Sequence, residues 1–142
     1  MMLANYAEDN NGLLNVTGGT WDTLHVQAPL QAPPGTFPPD KTPVAIMQGY
    51  LVIRLLFHVT ETGRLRKLRV VIMDADGADI AALEAEASVQ KMEDLPKGWL
   101  QGVNAILPVA GIPLPKFGQY SIAVLVDDQH LGDIAFRVEK RY

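Results

Sequence analysis

A period of two in the apolar residues, repeated through several separate stretches, constrains this chain most. In the stretch YSIAVLV, residues 120–126, Tyr120, Ile122, Val124 and Val126 share one side. After a turn expected at Asp127–His130, Ile134, Phe136 and Val138 form an answering row, with Asp133, Arg137 and Glu139 on the other side. Successive side chains of a strand point to opposite faces, whereas apolar positions of a helix recur at three and four residues. The pattern therefore specifies half-buried strands.

The same period runs from Ile46 to Thr60, where Leu51, Ile53, Leu55, Phe57 and Val59 oppose Arg54, His58 and Thr60. Glu61-Thr62-Gly63 makes a turn, and residues 65–73 are expected to return with Leu68, Val70 and Ile72 in register. Val103, Ala105, Leu107 and Val109 alternate again before the turn-rich GIPLPKFGQ. At the start, residues 2–8 and 13–17 flank Asp9–Gly12, and Asn-Gly suits a tight hairpin because both residues tolerate positive φ. Gly18-Gly19 stops that return strand, and a further short strand covers Leu24–Val26.

Residues 81–92, AALEAEASVQKM, set composition against pattern. Alanine and glutamate favour a helix, yet Leu83, Ala85, Ala87 and Val89 alternate with Glu84, Glu86, Ser88 and Gln90, so a strand is expected. A loop around Pro96 follows, over Asp94–Gly98. Residues 28–43, APLQAPPGTFPPDKTP, hold six prolines and cannot feed a ladder with regular donors, so a long crossing loop or flap is expected. About eight or nine short strands with no clear helix point to an all-β fold, an antiparallel two-sheet β-sandwich, Ig-like or jelly-roll-like.

The chain has 142 residues, which fits one domain over 1–142 and lets folding bury about two thirds of the extended surface. The absence of cysteine excludes disulfides, thiolate metal sites and cysteine nucleophiles. A net charge of −4 makes nucleic acid an unlikely partner. No apolar run is long enough for a membrane helix. MMLANYAEDN has no basic leader, so a cytoplasmic protein is expected and Asn15-Val16-Thr17 is not read as a glycosylation site.

Candidate chemistry is sparse. Gly18-Gly19 lacks the lysine and the following helix that a phosphate loop needs, which leaves a bulge or corner covered by Trp21. Asp74, Asp76 and Asp79 are spaced as D-x-D-G-x-D and are calcium candidates, but Ala85 stands where an EF-hand loop has its closing glutamate. His25, His58 and His130 fit no metal spacing, and Ser88 and Ser121 lack a nucleophile elbow. Arg54, Arg64, Arg66, Lys67 and Arg69 gather around one expected hairpin as solubilising edge charge, without interleaved aromatics for base stacking.

ANYAEDNNGLLNVTGGTWDTL at 4–24, LRVVIMDADG at 68–77, GIPLPKFGQYSIAVLVDD at 111–128 and FRV at 136–138 together resemble a family of small uncharacterised bacterial β-sandwich proteins. That family opens with a G-K-L-x-x-x-G-G-x-W-D-x-L pattern. The chain departs from it at Asn11, and Leu14 replaces a basic or polar position. The resemblance implies no activity, cofactor or catalytic residue. It makes Gly18–Asp22 a mark of the fold.

Three functions stay open. The first is a non-enzymatic binding or assembly module, joined to a protein partner or to itself and needing no cofactor. The second is a carbohydrate- or small-ligand-binding sandwich, with Trp21, Tyr50 and Trp99 as ligand-binding candidates near a cleft. The third is a small hydrolase or metal-dependent enzyme, requiring two or more of Asp22, His25, His58, Asp74 and His130 to converge.

Overall fold

The computed structural model describes residues 1–31, 33–38, 42–58, 60, 62–89 and 98–142. Among them the protein is all-β, with no α-helix and so no helix long and apolar enough to cross a membrane. The strands are β1 (Met2–Asn10), β2 (Leu13–Gly19), β3 (Thr23–Val26), β4 (Ala45–Ile46), β5 (Tyr50–Phe57), β6 (Arg64–Asp74), β7 (Asp79–Val89), β8 (Gln101–Pro108), β9 (Pro113–Leu114), β10 (Gly118–Val126) and β11 (Gln129–Lys140). They form a four-stranded sheet in the order β2-β1-β5-β8, a five-stranded sheet in the order β3-β11-β10-β6-β7, and a two-stranded ladder of β4 and β9.

The main core holds Leu51, Ile53, Leu55 and Phe57 of β5, Leu68, Val70 and Ile72 of β6, and Tyr120, Ile122 and Val124 of β10. Phe136 and Val138 of β11 join them. Thus the inward rows of the two larger sheets share one apolar interior. This explains a correction to the expected β5–β6 hairpin. The two strands do not pair: β5 lies between β1 and β8, and β6 between β10 and β7. Both rows belong to the same core from different sheets, so the chain crosses between sheets instead of folding back within one. Val59 and Glu61 of that expectation lie outside the described residues.

Long-range pairing decides the ambiguous segment in favour of strand. β7 runs antiparallel to β6 from Met73↔Asp79 to Arg64↔Val89, and Ala81, Leu83 and Ala85 pack against the core while Glu84 and Glu86 are exposed. Residues 90–97, including the expected loop around Pro96 apart from Gly98, lie outside the described residues.

Turns follow the chemistry of their residues. Asn11 and Gly12 take φ of 54° and 84°, with Asn10 opposite Leu13, as a two-residue hairpin requires. The β10–β11 turn is tighter than expected: Asp127 and Asp128 alone form it, at φ 49° and 66°, and Gln129 already pairs with Val126. Aspartate tolerates this left-handed region better than most residues.

Gly18 is not a bulge: the β1–β2 register is unbroken from Ala4↔Gly19 to Asn10↔Leu13. Glycine is needed there because φ is 62° and a Cβ would sit 2.5 Å from Asn5 Nδ2. Thr20 then turns the corner at φ 61°, and Trp21 meets Phe136 edge-to-face at 6.4 Å. This corner carries the chain from the four-stranded to the five-stranded sheet. There β3 pairs with β11 in parallel, Thr23 to Val26 against Arg137 to Lys140, so the sheets are not wholly antiparallel.

The proline-rich segment has no strand or helix among its described residues, and a turn with Thr36 N–H donating to Pro33 O lies within it. The strand expected to begin at Ile46 is interrupted. Gly49, at φ 85°, packs its Cα against the Ala4 carbonyl and separates β4 from β5. β4 pairs instead with β9, a ladder extended by Val44 N–H to Leu114 O, Met47 N–H to Ile112 O and Gly111 N–H to Met47 O.

Candidate functional site

Two features of the four-stranded sheet stand apart from the core. One is a groove on its outer face, between the β1–β2 hairpin tip and β8. Along β5 the inward residues alternate with Val52, Arg54 and Leu56, and Arg54 lies opposite Asn104 and Leu56 opposite Gly102. These side chains therefore share the outward face. β1 pairs with β5 only from Met2 to Ala4, and the rest of β1 continues with β2 alone. The hairpin tip returns over the sheet to reach Asn104.

A short polar chain fixes that closure. Arg54 Nη1 donates to Asn104 Oδ1 at 2.9 Å, and Asn104 Nδ2 donates to Asp9 Oδ2 at 3.1 Å and to Gly12 O at 3.3 Å. Gly12 N–H donates to Asp9 Oδ1 at 2.7 Å. The groove has a volume of about 510 Å³ and is also bordered by Trp99, Leu100, Gln101 and Val103. Trp99 is 64 % exposed and Leu100 50 %, so its rim presents apolar surface to solvent.

The other feature is an edge. The terminal strands of the five-stranded sheet carry ionisable residues: Asp79, Glu84 and Glu86 on β7, and His25 on β3 beside Glu139 at 3.7 Å. Those of the four-stranded sheet, β2 and β8, carry none. β8 ends in Pro108 and bears the hairpin tip on Asn104. β2, LLNVTGG, has Leu13, Asn15 and Thr17 exposed, while Leu14 and Val16 are half-buried against a second small core of Ala4, Ala7 and Val52.

The aromatic candidates are not brought together. Trp99 lines the groove, Tyr50 is half-buried edge-to-face with Tyr6 at 6.0 Å, and Trp21 packs on the five-stranded sheet. Among the described residues, the contacts of the proposed catalytic residues do not lead to one another either. Asp22 accepts from Thr23, His25 faces Glu139, His58 meets Thr60 at 3.0 Å and His130 lies 3.8 Å from Asp133.

Around Asp74, the Lys116 ammonium occupies the space between the carboxylates, 3.5 Å from Asp74 Oδ2 and 3.0 Å from Asp76 Oδ2. The backbone N–H of Ala78, then that of Asp76 and the nearby Lys116 charge, hold the Asp74 carboxyl below its ordinary range against some desolvation. Among the described residues, no group of three or more His, Asp or Glu side chains is placed to share a metal ion.

Four of the five basic residues, Arg64, Arg66, Lys67 and Arg69, lie on β6. Arg66 is buried and bonded to Asp127 at 2.8 Å, Lys67 and Arg69 approach Glu84 at 3.8 and 3.9 Å, and Arg54 belongs to the other sheet. β6 is an interior strand, so these charges do not guard an edge as the sequence pattern suggested. Sequence reasoning missed Asp9, Gly102 and Asn104 as parts of a site, and it took Arg54 for a solubilising charge. The available signal was Asn104 itself, a polar residue inside the alternating run from Val103 to Val109.

Residues 1–139 match the family of unknown function DUF6941, and the chain belongs to that family. No curated protein matches it. No solved structure matches it.

Proposed function

We propose that this member of DUF6941 is a non-enzymatic assembly module, a two-sheet β-sandwich that joins a second copy of itself through the β2 edge. The observation that carries the reading is the composition of that edge. Natural edge strands are commonly blunted by charge, proline or covering segments, because unpaired backbone groups invite another strand. Over seven residues β2 has neither charge nor proline, and Leu13 at its start is 69 % exposed.

A second copy suits this edge better than the others. Two-fold antiparallel pairing sets a strand against itself, so a strand whose charges share one sign brings like charges together. Pairing β7 in this way would bring Glu84 and Glu86 together, whereas pairing β2 sets only neutral side chains against each other. It would also extend the sheet beside Leu14 and Val16, which are only partly covered.

Light scattering at several concentrations tests the reading. The expected result is a dimer that dissociates on dilution, and an Asn15→Lys, Thr17→Lys variant that stays monomeric with an unchanged circular dichroism spectrum. A wild-type protein that is monomeric throughout the range sinks the proposal.

A further inference from the structure

We propose that the groove beside Arg54 binds a small carboxylic acid whose body is apolar or planar. The inference is independent of pairing at β2.

The charge arrangement is the first support. Asn104 separates the cation and the acid of the groove, accepting from Arg54 with its amide oxygen and donating to Asp9 with its nitrogen. Arg54 therefore holds a neutral partner, and the Asp9 oxygens are both engaged, by Gly12 N–H and by Asn104. The guanidinium keeps N–H groups beyond the one given to Asn104. A planar fork of such donors matches the two oxygens of a carboxylate.

Gly102 supplies the second support. A Cβ there would lie 2.2 Å from Arg54 Nη2 and 2.5 Å from its Cζ. The guanidinium thus rests against bare backbone, at a place set by Gly102 below and Asn104 beside it. A flexible surface arginine would lose more side-chain entropy on binding than one already seated this way.

The third support is the rim. Trp99, Leu100 and Val103 border the same 510 Å³ space, a size suited to a small molecule. An exposed indole offers a face to a planar or apolar body. Asp9 also limits the charge of the ligand. Its carboxylate stands in the same polar chain and repels a second negative charge, so a monoanion fits better than a phosphate dianion.

The test follows the indole N–H resonance of Trp99 by NMR in the intact chain, with Trp21 as an internal reference. The probes are indole-3-acetate and benzoate, each beside a neutral counterpart: indole-3-acetamide and benzamide. The expected result is a saturable Trp99 shift with at least one carboxylate, and affinity at least about tenfold weaker for its neutral counterpart. Arg54→Met should lose binding by about the same factor. Gly102→Ala keeps the charge and displaces the guanidinium, and it should also weaken binding while the Trp21 resonance stays in place. The proposal is overturned if no probe gives a saturable Trp99 shift, if neutral and charged members bind alike, or if either variant retains full affinity.

Discussion

Arg66 donates Nη1 to Asp127 Oδ2 at 2.8 Å across 61 residues of sequence, joining an interior strand to the β10–β11 turn. The other carboxylate oxygen of Asp127 accepts the Lys67 backbone N–H at 3.0 Å, and the Asp127 N–H donates to Lys67 O at 2.9 Å. One side chain thereby continues the β6–β10 ladder past Val126 and stops the turn from lifting. Arg66 is 7 % exposed and lies 5.8 Å from the Phe57 ring centroid. Its charge is therefore held between the two larger sheets. Arg66→Met should cost about 2 kcal/mol in urea unfolding, the scale of a lost hydrogen bond to a charged group. Arg66→Lys should cost less, keeping the charge but not the planar contact.

Acid should weaken the protein through two carboxylates in particular. Backbone donation from Lys67, followed by Arg66, lowers the Asp127 pKa from its ordinary 3.8. Ala78, Asp76 and Lys116 do the same for Asp74. A carboxylate whose folded pKa is depressed contributes stability above its unfolded value, and that contribution disappears as pH falls through the folded value. Thermal unfolding should therefore become steeply pH-dependent below about pH 4. The double variant Asp74→Asn, Asp127→Asn should unfold at a lower temperature at pH 7 and show a flatter acid limb. An unchanged acid limb would remove these groups as its cause.

The strands were legible where period two ran far enough. The Tyr120 row and the Phe136 row meet as expected, with Tyr120 opposite Phe136 and Ile122 opposite Ile134. β4 and β9 escaped notice because two residues establish no period, and their ladder depends on contacts between distant segments. Periodicity also says which residues face inward without saying which strand lies alongside, hence the missed crossing from β5 to β6. The groove was harder still. Trp99 could be flagged as an aromatic, but Asp9 and Asn104 are 95 residues apart and meet only because the hairpin tip returns over β8. No local spacing records that meeting.

Tyr120 should matter through both ends of its side chain. The ring is 2 % exposed and stacks on Phe136 at 5.2 Å, while the hydroxyl donates to Lys116 O and accepts Lys116 N–H. Burial raises the phenol pKa, so the neutral form is the one that fastens this loop. Tyr120→Phe keeps the stack and orphans the two backbone groups, at a cost of about 1–2 kcal/mol. Phe136→Ala removes a core ring and should cost about 3–5 kcal/mol. Chemical denaturation of both variants checks the order.

Gly49 and Gly63 allow the cost of a backbone conformation to be separated from the cost of a collision. Both have φ of 85°. A Cβ at Gly63 would meet nothing within 4 Å, whereas at Gly49 it would lie 2.1 Å from the Ala4 carbonyl oxygen, a backbone atom of the paired β1. Gly63→Ala should therefore cost only the left-handed strain, about 1–2 kcal/mol. Gly49→Ala adds a clash that no side-chain rotation relieves. The backbone must shift where β1 pairs with β5 and where Val109 N–H donates to Gly49 O. The cost should exceed that of Gly63→Ala by at least about 2 kcal/mol. Equal losses in urea unfolding would mean that β1 and β5 do not approach this closely at Gly49.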